Sequence, residues 1–388
     1  MRGVAVTGIG IVTALGAGVE VHRAALHSGR TGLRPLSLFT LEGLAPAPVG
    51  EVDPGLLDAS LGSRTLALAL RAVREALGAR ELVGEGVLAL GTTTGGIAES
   101  EQHYLKHRGT EGREDRALLV HHPLGATVDV LASMLGLEGE RHTFSTACSS
   151  SANAIGYGAM RIEQGAPWAL VGGVDALCRT TYTGFHSLRL LSPEPCRPFD
   201  RRRRGLSLGE GAAFLLLEPV LSARAQGTLT HGFVAGWGAT SDAHHVTAPH
   251  PEGRGAMEAM RAALADAGCT PDEVQYVNAH GTATPANDHA EARALAQVFG
   301  QQAPLTSSTK GLTGHTLGAA GAVEAVLSLV SLDEGFVPAT VGLEEPDAAL
   351  ALHHVPAGGV ALRLETVLSN SFGFGGNNAA LVFTRGSR

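Results

Sequence analysis

One cysteine of the sequence lies where a nucleophile can be activated. Cys148 is part of FSTACSSSAN (144–153), where a β-prone run passes through a polar turn directly into a helix of small residues. At a helix N-terminus the unpaired amides and the positive end of the helix dipole favour a thiolate over a thiol. We therefore expect Cys148 to be a nucleophile. The alternative, a buried structural cysteine, is our interpretation of Cys178, Cys196 and Cys269.

Two of the 17 histidines follow strand-like segments and open turns. His280 follows VQYVNA and begins HGTATPAND, in which Thr282 and Thr284 offer hydroxyl groups. His315 ends SSTKGLTGH, immediately before a helix of small residues. A cysteine nucleophile needs proton management and donors that stabilise oxyanion or carbanion charge, so we expect both histidines on active-site loops. The alternative for either histidine alone is a residue that stabilises its loop.

A lysine and a glutamate accompany the second histidine. Lys310 precedes His315 in the same segment, and Glu324 follows in the next helix, where the two charges can pair. Lysine is rare, because Lys106 and Lys310 are the only two among 29 basic residues. An ammonium group is a compact charge that a guanidinium does not replace. We expect Lys310 to be needed as an ammonium.

A glycine-rich segment near the end of the chain carries two large aromatic residues. In SNSFGFGGNN, Phe372 and Phe374 alternate with glycines. Glycine allows backbone conformations that other residues avoid. We expect an aromatic gate here, and a backbone amide that joins the amide of Cys148 in an oxyanion hole. A plain hairpin turn is the alternative.

No cofactor or metal motif is complete. The GxGxxG fingerprint fails in the first strand, because Thr13 occupies the position of the last glycine. The histidine pairs at 121–122 and 244–245 lack the spacing of metal ligands. The four cysteines form no CxxC pair, so neither a zinc module nor a disulfide framework is expected. We predict no metal ion and a reducing, cytoplasmic location.

The elements that must position these residues alternate between strands and helices, as in α/β proteins. Strands are predicted at 4–11, 86–90, 169–171, 212–217, 274–278 and 379–383. Helices are predicted at 64–77, 126–135, 150–162, 254–267, 288–298 and 319–332. Gly172 and Gly173 are expected to form a turn that ends the third of these strands.

The length of 388 residues exceeds the usual size of one core. With 44% hydrophobic residues and 52 glycines, the chain is too apolar for disorder and too rich in glycine for a helical bundle. The segments around Cys148 and His315 both run from β-prone residues through a polar turn into a small-residue helix. We predict two similar halves, 1–228 with the nucleophilic cysteine and 229–388 with the histidines, sharing an extensive interface.

Charge and hydropathy exclude two classes of partner. A formal net charge of −8 opposes general binding to nucleic acids. No stretch reaches the roughly 18 uninterrupted apolar residues of a membrane-spanning helix, so we expect a soluble protein. The local exception to the acidic character is a run of four arginines, which are Arg201, Arg202, Arg203 and Arg204.

Five separated motifs resemble those of the β-ketoacyl carrier-protein synthases, the decarboxylating condensing enzymes of fatty-acid and polyketide synthesis. The motifs are TACSSS, RPFDRRRRGLSLGEGAA, NAHGTATPAND, SSTKGLTGHTLGAAGAVE and SNSFGFGGNNAAL. The resemblance spans nearly the whole chain, beginning with VAVTGIGIVTALG. It implies a thiolase-like fold, a five-layer αβαβα sandwich built from two similar halves.

The resemblance also implies a role for each residue of the site. In this family the cysteine accepts an acyl group from a phosphopantetheine thioester, and a malonyl thioester then loses carbon dioxide to give the attacking enolate. Cys148 matches the nucleophile, and His280 and His315 match the pair that supports decarboxylation. Lys310 and Glu324 match a supporting ion pair, while the amides of Cys148 and Phe374 match the oxyanion hole.

Substrate contacts are implied in the same way. The residues that match them are Thr282 and Thr284 for pantetheine, Phe185, Thr94 and Phe372 for the acyl pocket, and Phe374 for its mobile gate. No tightly bound cofactor is expected, since the substrates are carried on the phosphopantetheine of an acyl carrier protein. We expect the four arginines at 201–204 to dock that acidic carrier, with basic residues between Lys106 and Arg116 as the alternative.

The substrate and the assembly stay open at this point. Thr94 stands where elongating synthases often carry a larger apolar residue. The pathway therefore stays open between ordinary fatty-acid elongation and specialised polyketide or polyene assembly. The chain is expected to form a homodimer or a heterodimer with a related ketosynthase-like chain. A noncatalytic chain-length factor is one alternative function, although Cys148, His280 and His315 argue against it. A thiolase-type acyltransferase is the other.

Overall fold

The computed structural model describes residues 4–108, 117–300 and 302–386. Fifteen strands occur in these residues: β1 (Val4–Thr13), β2 (Gly16–Ala17), β3 (Leu33–Pro35), β4 (Pro48–Gly50), β5 (Gly86–Gly91), β6 (Gly139–Phe144), β7 (Ala169–Asp175), β8 (Gly211–Glu218), β9 (Gly232–Ser241), β10 (Tyr276–Asn278), β11 (Leu305–Ser307), β12 (Phe336–Val337), β13 (Val360–Ala361), β14 (Thr366–Gly373) and β15 (Asn377–Thr384).

Eleven α-helices and six short 3₁₀ turns lie in the same residues. The α-helices are α1 (Val19–Ser28), α2 (Arg64–Leu77), α3 (Ile97–His107), α4 (Ala126–Leu135), α5 (Ser150–Glu163), α6 (Arg179–Ser187), α7 (Val220–Ala225), α8 (Arg254–Ala267), α9 (Pro285–Phe299), α10 (Lys310–Thr313) and α11 (Ala320–Glu334). None of the helices in the described part of the chain is long and apolar enough to cross a membrane.

Ten of the strands form two equivalent sets of five. The first set is ordered β6-β5-β7-β8-β1 and the second β11-β10-β14-β15-β9. In both sets the first three strands are parallel, and the fourth and fifth are each antiparallel to the strand before them. The sets meet where β1 pairs with β9, and the same order and directions in both confirm two similar halves.

Each set of five strands is one β-sheet layer of the fold, and helices pack on both faces of each sheet. α5 and α11 contact each other and strands of both sheets, so they form the central layer. α2 covers the outer face of the first sheet and α8 that of the second. This arrangement confirms the five-layer αβαβα sandwich. The boundary expected between residues 228 and 229 falls in the connection from α7 to β9 and, as a division into domains, stays a prediction.

The glycine pair of β7 corrects one expectation. Gly172 and Gly173 do not end the strand, which continues to Asp175. A Cβ on Gly172 would lie 2.1 Å from the carbonyl oxygen of Ala213 in β8, and one on Gly173 would lie 2.6 Å from Cβ of Ser151 in α5. The glycines therefore let β7 pack closely against its neighbours, which local sequence rules for turns do not detect.

The two central helices approach each other at a glycine. α11 is buried at every residue from Ala320 to Leu332, and Gly321 lies in its first turn. A Cβ there would lie 2.7 Å from the backbone nitrogen of Ala152 and 2.8 Å from its Cβ. Small residues at this contact set the distance between the halves that carry the cysteine and the histidines.

We expect Gly321→Ala to destabilise the protein by about 1–3 kcal/mol, because overpacking a rigid contact outweighs the gain in helix propensity. Thermal unfolding followed by circular dichroism measures the effect. Gly184→Ala in the exposed part of α6 is the matched control, since no atom lies within 4 Å of its added Cβ. That control should be neutral or stabilised by up to about 1 kcal/mol. Equal midpoints for the two variants would contradict a tight contact at Gly321.

Candidate active site

A strained turn places Cys148 between β6 and α5. Ala147, directly before it, has a φ of 52°, in the left-handed region that side chains usually avoid. The hydroxyl of Ser150 accepts from the amide of Thr146 at 2.9 Å and donates to the carbonyl of Ala147 at 2.6 Å. The turn leaves Cys148 buried, with 7% of its surface exposed.

His280 follows β10, and its backbone is held by a buried carboxylate. The amides of His280 and Gly281 each donate to Glu291 of α9, both at 2.8 Å. Asn370 of β14 donates to the same carboxylate at 3.1 Å. Sequence analysis missed Glu291, because nothing in its helix pattern shows that its side chain points at backbone amides of another segment.

The ring of His315 contacts the cysteine. Its Nε2 lies 3.1 Å from Sγ of Cys148, and its Nδ1 accepts from the amide of Leu317 at 3.3 Å. Nδ1 of His280 lies 3.2 Å from Nζ of Lys310, a group that only donates. In both neutral rings Nδ1 therefore accepts, and the proton is on Nε2. The two rings, with centroids 5.2 Å apart, are hydrogen-bond donors towards the cavity.

Both imidazoles are kept neutral. Burial lowers the pKa of His280 well below its ordinary value, and the charge of Lys310 acts in the same direction. The pKa of His315 is lowered for the same reasons. One ring nitrogen of each histidine and Sγ of Cys148 lie within 4.8 Å of one another, the spacing of a metal site. A metal ion bound here through Nε2 would have to displace the proton that this nitrogen carries. The absence of a metal ion stays a prediction.

The thiol of Cys148 differs from the expectation. Burial raises the pKa of Cys148 to about 11, although the charge of Lys310 and the amide of Phe374 act to lower it. The helix N-terminus is present, since α5 begins two residues later. The pKa thus runs against the expected preference for thiolate in the resting site, because loss of water around the sulfur outweighs the charge of Lys310 and the amide of Phe374. Formation of the Cys148 thiolate therefore depends on the hydrogen-bond donors that surround the sulfur.

Lys310 and Glu324 form an ion pair beneath the histidines. Both side chains are 2% exposed, and Nζ of Lys310 donates to Oε1 of Glu324. Burial raises the pKa of Glu324 to about 7, against the effect of the Lys310 charge. Removing one partner of such a pair leaves a buried charge uncompensated, at a cost of roughly 3–5 kcal/mol. The structure thus brings together the two residues whose pairing the sequence predicts.

The expected gate segment forms the hairpin between β14 and β15. The amide of Phe374 donates to the thiol of Cys148, and its ring stacks on Phe185 with a centroid distance of 5.4 Å. The ring centroid of Phe372 lies 5.9 Å from that of His280. The alternative of a hairpin turn is confirmed, since β14 and β15 form an antiparallel pair. The gate and the oxyanion hole stay predictions, and this hairpin brings the rings and one amide to the cysteine.

A cavity of about 360 Å³ opens at the cysteine. Predicted site residues that line it are Cys148, His280, His315, Thr282, Thr284, Phe185, Phe372 and Phe374. The hydroxyls of Thr282 and Thr284 are 2.8 Å apart. Leu188, Leu190 and Leu206 add an apolar wall that the sequence did not single out.

Thr94 is placed differently from the expectation. It does not line the described cavity, and its hydroxyl donates to Asp175 at 2.8 Å. Asp175 ends β7 and is fully buried. The cause is local: three consecutive threonines turn their polar groups towards this carboxylate, so Thr94 acts as a hydrogen-bond donor inside the protein.

The run of four arginines divides into buried and exposed members. Arg203 is 3% exposed and pairs with Asp288 at 3.4 Å and Asp347 at 2.7 Å, so its expected role in carrier docking is wrong. Arg201 and Arg202 are exposed and pair with Glu345 and Glu344. Arg204 is exposed and has no ion pair among the residues that the structure describes.

One exposed arginine outside the run is next in sequence to residues of the cavity lining. Arg189 is exposed, and it stands between Leu188 and Leu190, which both line the cavity. Its φ is 56°, and it has no ion pair in the described part of the chain. The carbonyl of Leu190 accepts from the amide of Leu206, so Arg189 and Arg204 flank the same wall. An isolated arginine has no sequence signal that could have marked it.

Comparisons with known proteins agree on one family. Its model "Beta-ketoacyl synthase, N-terminal domain" matches residues 1–223, and "Beta-ketoacyl synthase, C-terminal domain" matches 231–344. The 3-oxoacyl-[acyl-carrier-protein] synthase 2 of Synechocystis sp. is 38% identical, with 98% of both chains covered.

Two solved structures are similar over the whole chain. The ishigamide ketosynthase/chain length factor superposes with a TM-score of 0.91 at 35% identity, covering 99% of both chains. A type II polyketide ketosynthase, solved in complex with its acyl-carrier protein, has the same TM-score at 26% identity, with 99% of this chain and 100% of that chain covered.

The two neutral histidines predict a loss of stability in acid. Their folded pKa lies below the unfolded value of 6.5, so below about pH 6.5 the unfolded chain binds protons that the folded chain does not. Stability should fall as the pH drops, by up to about 1.4 kcal/mol per pH unit for each histidine. His315→Gln should therefore lose less stability than the wild type between pH 7.5 and 5.5. Urea unfolding at the two pH values measures this, and equal losses would contradict a neutral His315.

Proposed function

The chain belongs to the β-ketoacyl synthase family, and we propose that it catalyses the decarboxylative Claisen condensation of a Cys148-bound acyl group with a malonyl thioester. The observation that carries the proposal is the pair of imidazoles whose Nδ1 atoms are both engaged by donors. Nε2 of His315 is thereby presented to Sγ of Cys148, and a ring nitrogen of His280 lies within 4.8 Å of the same sulfur. Two preorganised donors beside a nucleophile suit a reaction in which negative charge develops on a thioester oxygen.

In the first half-reaction Sγ of Cys148 attacks the acyl thioester of a carrier. A carbon–sulfur bond to Cys148 forms, the bond to the pantetheine sulfur breaks, and the proton lost by Cys148 leaves with the carrier thiol. The amides of Cys148 and Phe374 are the donors for the tetrahedral oxyanion, supported by the close packing of Gly373 on the amide of Cys148, where an added Cβ would lie 2.9 Å away.

In the second half-reaction a malonyl thioester occupies the same cavity. Its carboxylate leaves as carbon dioxide, and the electron pair moves into an enolate whose oxygen faces His280 and His315. The enolate carbon then attacks the acyl carbonyl, the new carbon–carbon bond forms, and Cys148 leaves as the thiolate. Neutral imidazoles suit this step, because a donor that keeps its proton stabilises the enolate without quenching it.

The cavity supports substrates carried on a phosphopantetheine arm. Its lining combines apolar residues with polar side chains, among which the hydroxyls of Thr282 and Thr284 suit the amides of pantetheine; the other polar lining residues away from the cysteine are Thr247, Asn287 and Asn378. No tightly bound cofactor is needed for either half-reaction. The acyl group would pass the stacked rings of Phe185 and Phe374, with Phe372 beside His280.

The partners we propose follow from the relatives and from the surface. An acyl carrier protein would present the substrates, as in the ketosynthase complex noted above. The chain would pair with itself or with a related ketosynthase-like chain. The retained residues Cys148, His280 and His315 support a catalytic subunit over a chain-length factor, and the two donor imidazoles support a decarboxylating enzyme over a thiolase. A cytoplasmic location rests on the four free cysteines.

In this proposal the two halves of the sandwich supply different catalytic residues. Residues 1–228 would supply the nucleophile, and residues 229–388 the histidines and the ion pair of Lys310 with Glu324. The site lies where the two halves meet, since Cys148 precedes α5 and His315 precedes α11.

The two half-reactions provide the test. With acyl carrier protein, Cys148→Ala should form no acyl-enzyme in intact-mass analysis, because the attacking sulfur is gone. His280→Ala and His315→Ala should instead lower carbon dioxide release from malonyl carrier protein by about a hundredfold, the loss expected for one oxyanion donor, while acylation of Cys148 suffers less.

Cys269→Ala is the matched control, because it removes another buried cysteine that does not line the described cavity. It should form the acyl-enzyme as the wild type does. Normal acylation of Cys148→Ala, with its thermal transition intact, would refute the nucleophile. Equal loss of both half-reactions in the histidine variants would refute the division of roles.

We propose that Arg189 and Arg204 form the core of the carrier-docking surface, with Arg201 and Arg202 at its side. Exposed guanidinium groups without a partner attract an acidic carrier and are screened by salt. Arg189→Glu with Arg204→Glu should raise the apparent KM for carrier-bound substrate and leave turnover of a small pantetheine thioester unchanged. Steady-state kinetics at two salt concentrations measure both effects.

Arg224→Glu with Arg363→Glu is the charge-matched control, because both arginines are exposed and neither lines the cavity. It should change neither KM. If the double variant keeps wild-type carrier kinetics and salt dependence, the docking surface lies elsewhere. Of the alternative candidates between Lys106 and Arg116, Arg113 and Arg116 lie outside the described residues.

A further inference from the structure

A fully buried carboxylate lies close to the site and takes no direct part in the chemistry. Asp175, the last residue of β7, has no exposed surface. Among the residues that the structure describes, its oxygens accept hydrogen bonds only from uncharged donors, and no ion pair with a cation balances the carboxylate. The donors are the hydroxyl of Thr92 (2.6 Å), the amide (3.0 Å) and hydroxyl (2.6 Å) of Thr93, the amide (2.9 Å) and hydroxyl (2.8 Å) of Thr94, and the amide of Gly318 (2.6 Å).

These donors come from two segments that the fold brings together. The threonines follow β5, the neighbour of β7 in the first sheet. Gly318 belongs to the 3₁₀ turn Leu317–Ala319, which lies between His315 and α11. Asp175 therefore ties the end of the first sheet to the turn that directly follows a catalytic histidine of the second half.

The turn held by Asp175 is strained. Leu317 has a φ of 54°, a left-handed conformation that costs a non-glycine residue roughly 1–3 kcal/mol. Gly318 is confined as well, since an added Cβ would lie 2.8 Å from the Asp175 carboxylate and 2.9 Å from the backbone of Thr92. A strained conformation persists only where its surroundings fix it, and the bond from Gly318 to Asp175 is the charged contact that does so.

The strained turn acts on the histidine ring. In this conformation the amide of Leu317 points back and donates to Nδ1 of His315. That bond keeps the proton of the neutral ring on Nε2, the atom beside Sγ of Cys148. If the turn relaxed, Nδ1 would lose its donor, and the ring could take up the other tautomer or rotate away from the sulfur.

We propose that Asp175 is a positioning residue for His315, which fixes the orientation and tautomer of the imidazole through the turn at Leu317 and Gly318. The inference rests on the proposed role of His315 in decarboxylation. The three threonine side chains stabilise the buried negative charge by hydrogen bonds alone, so the carboxylate stays an acceptor for the turn. Thr94, expected at the substrate, belongs to this network instead.

The electrostatics of Asp175 give the proposal a distinctive signature. The negative charge of Asp175 is among the influences that raise the pKa of Cys148, so a neutral side chain at this position does not hinder formation of the thiolate. Loss of the positioning bond acts only on the imidazole. Decarboxylation and acylation should therefore respond differently to the same substitution.

The test compares Asp175→Asn with the wild type in the two half-reactions. Asparagine has the same size, but its NH₂ group would face amide and hydroxyl donors. We expect carbon dioxide release from malonyl carrier protein to fall by about tenfold to a hundredfold, because the His315 donor is misaligned. Acylation of Cys148 should stay within about threefold of the wild type. The pH profile of decarboxylation should gain an inflection as His315 becomes easier to protonate.

Two further variants make the result decisive. Thr306→Val is the control, because it removes the hydroxyl of another buried threonine, which donates to the carbonyl of Pro304 outside this network, so it should decarboxylate as the wild type does. Gly318→Ala disturbs the bond between Gly318 and Asp175 while the charge remains, and it should reproduce the selective loss. If Asp175→Asn does not fold, Gly318→Ala alone tests whether the bond between Gly318 and Asp175 positions His315.

Several outcomes would overturn the inference. Wild-type decarboxylation in both Asp175→Asn and Gly318→Ala, alongside a large loss in His315→Ala, would show that His315 needs no support from Asp175. Equal loss of both half-reactions together with a lowered unfolding temperature would show a structural role only. Undiminished decarboxylation in His315→Ala would instead refute the proposed role of the histidine itself.

Discussion

The chemistry of this site depends on two imidazoles that are kept neutral and whose Nδ1 atoms are both engaged by donors. Lys310 engages one ring and the amide of Leu317 the other, and burial keeps a second proton off each. Everything near the cysteine follows from this constraint. The ammonium must be present but must not protonate its neighbour, which explains why it is tied to Glu324 on the far side of His280.

Burial has opposite consequences for the different groups of the site. It favours neutral histidines, which the decarboxylation needs, but it disfavours the thiolate, which acyl transfer needs. We propose that fixed donors compensate for this burial: the start of α5 and the amide of Phe374 would stabilise the sulfur where the reaction occurs. Such donors need no reorganisation during the reaction, because they are held by the turn at Ala147 and by the hairpin of β14 and β15.

The sequence predicts the elements and the reactive residues well, and the supporting groups poorly. Helix α8 was predicted at its observed bounds, since its apolar residues repeat at helical spacing and glycines flank it. Cys148, His280, His315 and Lys310 stand in turns whose composition signals chemistry. Asp175 and Glu291 were missed because their partners are backbone amides of distant segments, which no local pattern encodes.

The errors of the sequence analysis have a common physical cause. Gly172 and Gly173 were assigned to a turn, Arg203 to the surface and Thr94 to the cavity. In each case the residue type has two uses, and tertiary contacts select between them: close packing for the glycines, a buried ion pair for the arginine and a carboxylate for the threonine. Composition describes what a side chain offers, whereas the fold decides which neighbour takes it.

Phe374 contributes both its backbone amide and its aromatic ring to the site. Its backbone amide donates to Cys148, and its ring closes against Phe185. The two parts share one Cα, so a backbone rearrangement that moves the ring away from Phe185 also turns the amide away from the sulfur. If Phe374 is the gate and oxyanion donor that we propose, a backbone movement of this hairpin is an interlock: opening the passage beside Phe185 would leave the oxyanion hole incomplete until the passage shuts behind the acyl chain.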